Sequence, residues 1–349
     1  MISVERIAWV DLSRVAAILA VLAIHVAAPL VALPIHPASW WFGNVVESSA
    51  RWCVPVFVMI SGALLLASAR TADTAAFYRR RFARLGPAML VWIPAYLVFG
   101  YLVNDVPRDL NEAVRSVLAG RPYYHLYFLF VIAGLYLIAP WLEPLVARAG
   151  SEGRRQVTAA VIVATAIAIA DGIIQQFGIG SPNAVTRWVP FVGYFLAGVL
   201  IAGVPGTPGR IRLAGLVAVV GIAATAIGTA AMVGPFGLGL GRGRYLYEYP
   251  SVTTVPVSLA VFALLVWIGP GAMARLSPTG RRVVVSAAAA SFGIYLVHPM
   301  ILEGLSRAGL NAMSTVAPIA FVVTIAVTFL ISWAIVVAMS RIPGLRWIV

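Results

Sequence analysis

The chain has no lysine, a single cysteine and few charges of either sign. Charged residues make up 11% of its 349 positions, whereas soluble domains usually carry about 25%. So little polar surface cannot coat a globule in water, and a soluble fold is excluded. The lone Cys53 excludes an internal disulfide, and with four histidines no metal site is expected. Cys53 lies in an apolar run and reads as a small buried hydrophobe. Arginine is the only fixed cation, a bias we attribute to genome composition rather than to function. The net charge of +13 would suit nucleic acid. The basic residues, however, fall in short clusters between long apolar runs, so no nucleic-acid partner is expected.

Hydrophobicity is what the chain has in excess: 61% apolar residues and a mean hydropathy of +0.95. A spanning helix needs roughly 20 mostly apolar residues. Ten candidates follow, near 8–33, 45–68, 85–103, 123–143, 157–177, 187–203, 212–233, 251–270, 286–304 and 316–339. The expected fold is all-α: one membrane-embedded domain over 1–349, polytopic, with about ten transmembrane helices. With the N-terminus placed in the cytoplasm, sixteen arginines fall on inside segments and seven on outside ones. That alternation obeys the positive-inside rule and puts both termini in the cytoplasm. The first span is not expected to be a cleaved signal, because its apolar run, Val15–Leu33, exceeds the usual length of about 7–15 residues.

Ionisable groups at membrane depth are costly and therefore mark functional candidates. The first span holds Asp11, Arg14 and His25. Arg14 and His25, eleven residues apart, lie on one helix face and roughly 16 Å apart along the axis. Asp11, one turn before Arg14, joins that stripe. The second span holds Glu47 and Arg51 at i,i+4, a spacing that also suits mutual neutralisation. Arg51 is expected at the depth of His25, so the two could meet across one cavity. Arg70, Arg79, Arg80, Arg81 and Arg84 precede or open the third span, and guanidiniums clustered there suit phosphate as well as lipid headgroups. His125 opens the fourth span beside Tyr123, Tyr124 and Tyr127, an interfacial aromatic belt that would also suit sugar stacking. His36 is assigned to an outside loop with no specific role, and His298 to a structural one.

Five blocks in order resemble the acyltransferase-3 family of membrane acyltransferases. They are W-V-D-L-S-R…H, with Arg14 and His25 at the family's R-x10-H spacing; V-P-V-F-V-M-I-S-G in the second span; R-x-x-R at Arg81 and Arg84; H-L-Y-F in the fourth span; and S-F-G-I-Y-L-V-H-P in the ninth. The fourth block departs from the family's H-L-W-F at Tyr127, which bears on local acceptor contacts. The resemblance implies a multi-pass protein of the cytoplasmic (inner) membrane. It implies acetyl-CoA as co-substrate, with no permanently bound cofactor, and a hydroxyl of an extracytoplasmic glycan or lipid-linked saccharide as acceptor.

His25, Arg14 and Arg51 are then the expected catalytic residues, and Asp11, Glu47, Arg81, Arg84, His125 and Tyr127 the expected substrate contacts. Arg14, Arg81 and Arg84 could bind the CoA phosphates while the pantetheine arm threads along the first helix. A neutral imidazole at His25 is a competent general base, Arg51 could stabilise the oxyanion or orient the acceptor, and transient acylation of His25 is the alternative. Two other readings stay open: a transporter or flippase of glycan or lipid intermediates, and an acyltransferase using another donor such as succinyl-CoA.

Overall fold

In the computed structural model, which describes residues 4–32, 38–66, 73–104, 106–107, 109–147, 150–313 and 317–349, the chain is helical and has no strand among these residues. Among the described residues, nine helical segments are long and apolar enough to cross a membrane. The chain is a polytopic, all-α membrane protein. The sixth expected span, 187–203, is shorter than expected. Three residues of 3₁₀ helix (Val189–Phe191) run into the eleven of α8 (Val192–Ala202). Pro190 sets that tight start, and Gly203 and Pro205 follow close on the end. At 1.5 Å per residue α8 covers about 17 Å, against a hydrocarbon core of about 30 Å.

The chain divides into two compact units, Met1–Phe57 with Ile201–Ala338 and Val58–Leu200 with Met339–Val349. The first contains α1 (Val4–Val31), α2 (Ala38–Ala50), the start of α3 (Cys53–Leu66), α9 (Pro208–Val233), α10 (Gly239–Arg242), α11 (Thr254–Arg275), α12 (Pro278–Arg307) and most of α13 (Ala317–Arg341). Helix α1 packs on α2, α11 and α12, and α9 on α2 and α11. Small residues permit the close approaches, as expected where packing rather than water drives association. A Cβ on Gly43 would lie 2.7 Å from Leu30, and one on Gly221 would lie 2.4 Å from Val257. Trp9 of α1 meets Phe262 of α11 edge-on at 5.6 Å.

One span is interrupted. Helix α2 ends at Ala50, Arg51 and Trp52 form a turn, and α3 begins at Cys53. Pro55 lacks an N–H, and its ring crowds the carbonyl of Arg51, so the helix cannot run straight through. The Trp52 indole N–H donates to the Ser49 carbonyl at 2.6 Å, and the Ser49 hydroxyl to Val46 at 2.9 Å, which satisfies carbonyls at the break. The sequence gives no sign of paired broken helices of the transporter kind, and this break has a local cause in Pro55.

The second unit holds the rest of α3, then α4 (Thr74–Asn104), α5 (Leu110–Leu118), α6 (Tyr127–Ala147), α7 (Gly150–Gln176) and α8. Helices α3 and α8 touch backbone to backbone, since a Cβ on Gly62 would fall 1.8 Å from the Phe195 carbonyl oxygen. The Tyr78 hydroxyl donates to Leu137 at 2.7 Å and ties α4 to α6. Large apolar side chains such as Leu90, Leu102 and Trp141 stay exposed on α4 and α6, as a lipid-facing surface requires.

Candidate active site

The polar residues gather on the most enclosed segments of the first unit. Over half of the apolar window is buried in α1, in α2–α3 and in α12, against 17% for the span in α7. Helix α1 presents Asp11 and Arg14, both half-buried and within electrostatic reach of each other. Farther along, His25 stands between the buried Leu22 and Val26 and keeps part of its own surface open.

His298 of α12 stacks on His25, with ring centroids 5.2 Å apart and planes 24° from parallel. The cause is local chemistry in α12. Pro299 has no N–H, which leaves the carbonyl of Tyr295, one turn back, without its helical donor. The Nδ1 of His298 lies 2.8 Å from that carbonyl and 3.2 Å from the carbonyl of Ile294. A carbonyl only accepts, so Nδ1 carries the proton. His298 is fully buried.

Arg51, at the α2–α3 break, is the second group in electrostatic reach of His25. It is paired with Glu47 one turn earlier, whose side chain is 1% exposed. The Arg51 guanidinium also sits over the ring of Tyr247, 4.9 Å from its centroid. Tyr247 belongs to the segment between α10 and α11 and is held there from several sides. Its hydroxyl donates to Asn44 Oδ1, and Asn44 Nδ2 donates to the Ala226 carbonyl at 2.9 Å. Burial and the Glu47 carboxylate push the Tyr247 phenol above its usual pKa, so it stays protonated and donates. Ser251 and Thr254 donate to the Leu246 carbonyl at 3.0 and 2.9 Å, and Arg244 donates to the Val31 carbonyl at the end of α1.

The first unit therefore brings together His25, Arg51 and Glu47, with Asp11 and Arg14 farther down α1. Arg81, Arg84, His125 and Tyr127 belong to the second unit. The Arg79–Arg84 cluster lies within α4 rather than ahead of it, because the helix begins at Thr74. Arg81 is half-buried, with its guanidinium 5.8 Å from the Phe77 ring and 5.7 Å from the Tyr136 ring; Arg84 is exposed. His125 lies in the turn before α6 and is buried among Tyr96, Tyr123 and Tyr124, with centroids at 4.6, 5.8 and 5.5 Å. Tyr127 is the half-buried first residue of α6. Arg70 and His36 lie outside the described residues.

Sequence reasoning assigned His298 a structural role without its stack on His25, and did not single out Tyr247 or Asn44. His298 had a usable signal: a histidine directly before a helix-interior proline can cap the carbonyl that the proline orphans. Tyr247 and Asn44 had none, since their partners come from a connecting segment and from another helix. No group of three or more metal-ligating side chains occurs among the described residues.

The family model described as an acyltransferase domain (acyltransferase-3) matches residues 7–337. No curated protein and no solved structure matches the chain.

Proposed function

The chain belongs to the acyltransferase-3 family of membrane acyltransferases, and we propose that it transfers an acetyl group from cytoplasmic acetyl-CoA to a hydroxyl of an extracytoplasmic glycan or lipid-linked saccharide. The supporting observation is the placement of His25. It is the partly open imidazole of a largely buried helix, with Arg51 in electrostatic reach and Arg14 on the same helix roughly 16 Å away. A distance of that order suits a long, thin pantetheine arm whose phosphates stay near Arg14. We place both termini in the cytoplasm, as the arginine distribution favours, and the protein in the cytoplasmic membrane. The proposed acceptor is a surface glycan, of the class that the O-acetyltransferase of enterobacterial common antigen modifies.

In the proposed step His25 removes the proton from the acceptor hydroxyl as its oxygen attacks the thioester carbonyl. The C–S bond then breaks, and the CoA thiolate leaves with the proton returned from His25. Arg51 faces the developing oxyanion or the acceptor, and Glu47 balances its charge when no substrate is present. Asp11 stands beside Arg14 on α1.

Labelled acetyl-CoA supplied to membrane vesicles with the cytoplasmic face outward tests this reading. Label entering glycan in the vesicle interior, and its loss in His25→Ala vesicles, is the expected result. Glycan moving across the membrane without acetyl-CoA and without label would show a flippase instead.

A further inference from the structure

We infer that His298 is a positioning residue of the transfer site, stacking on His25 to hold its ring and to give the imidazolium formed there an aromatic face. This rests on the acyl-transfer reading above. Full burial keeps His298 from touching an acceptor or a thioester, whereas His25 keeps part of its surface open. The two rings are therefore not interchangeable bases. Nδ1 of His298 is committed to the Tyr295 and Ile294 carbonyls, which fixes the ring's tautomer and orientation. What His298 presents to His25 is its face, at 5.2 Å and 24° from parallel.

The chemistry gives that face its value. When the acceptor O–H proton moves to His25 and the new C–O bond forms, His25 becomes a cation beside the cationic Arg51. It stays so until the C–S bond breaks and the departing CoA thiolate takes the proton. A neutral aromatic face attracts such a cation, and Glu47 offsets Arg51. The stack is thus worth more in the transition state than in the ground state, and its loss lowers kcat rather than raising KM.

The test uses the full chain in lipid nanodiscs, with acetyl-CoA as the probe, water as the acceptor and release of CoA thiol as the readout. His298→Ala is expected to lower kcat about tenfold, with the KM for acetyl-CoA little changed. His298→Phe keeps a ring without the Nδ1 donor, and His298→Gln keeps a donor without a ring. The Phe variant is expected to turn over faster than the Gln variant, and that comparison stands even if the Ala variant fails to accumulate. Equal kcat in wild type and His298→Ala, or a Gln variant faster than the Phe variant, would overturn the stacking role while leaving acyl transfer intact. A well-folded wild type that releases no CoA, with water or with membrane glycolipids reconstituted beside it as acceptor, would overturn the acyl-transfer reading and the pair with it.

Discussion

His298 and Tyr295 are joined across one turn of α12, with the imidazole Nδ1 2.8 Å from a carbonyl that Pro299 leaves without a helical donor. The anchor of the buried ring is thus paired with a proline that weakens its own helix.

Pro299→Ala is expected to separate stability from turnover. It returns an amide donor to Tyr295 and removes a helix-interior proline, a change worth up to about 3 kcal/mol of helix preference. The restored N–H competes with His298 for the carbonyl and loosens the stack. The melting temperature in detergent should stay level or rise while kcat for acetyl-CoA falls several-fold. A variant that is both less stable and fully active would contradict the anchoring role.

The Glu47–Arg51 pair sits where water is scarce, so removing one partner costs more than removing both. Glu47→Ala removes the buried carboxylate paired with Arg51 and is expected to cost about 3–5 kcal/mol. The double variant Glu47→Leu with Arg51→Leu should recover much of that loss, since apolar side chains of similar volume replace buried pairs at little cost. It should remain inactive because Arg51 is gone. Thermal melts of the two variants and the wild type decide it, and a double variant melting below the single would refute the pairing argument.

Packing of α3 on α8 depends on the absence of a side chain at Gly62, where a Cβ would lie 1.8 Å from the Phe195 carbonyl oxygen. Gly62→Val is expected to prevent accumulation of monodisperse protein, with fluorescence-detected gel filtration as the measurement. Gly86 has nothing within 4 Å of an added Cβ, so Gly86→Ala should behave as wild type in the same assay.

Much of this architecture was legible because its causes are local. Apolar runs betrayed the spans, helix periodicity put Arg14 and His25 on one face, and counting residues set Arg51 at the level of His25. Even the α2–α3 break has its cause, Pro55, in plain view. The sixth span, read at 187–203, has its helix over Val189–Ala202, because apolar composition does not reveal where a 3₁₀ turn shortens a helix. The His25–His298 stack was not legible, because it joins helices far apart in sequence and depends on how α1 meets α12. Tyr247 was hidden for the same reason: a connecting segment carries it back to α2, and nothing in R-Y-L-Y-E-Y announces Asn44 as its partner.

The most direct test of the central claim is mass spectrometry of surface glycans from a strain lacking this gene, complemented with wild type or with His25→Ala at equal membrane abundance. Acyl transfer with His25 as base predicts that a mass step of one acetyl group returns with wild type alone. A step restored equally by both proteins would contradict the role of His25. Acetylation unchanged by the deletion, with glycan export lost instead, would contradict acyl transfer itself.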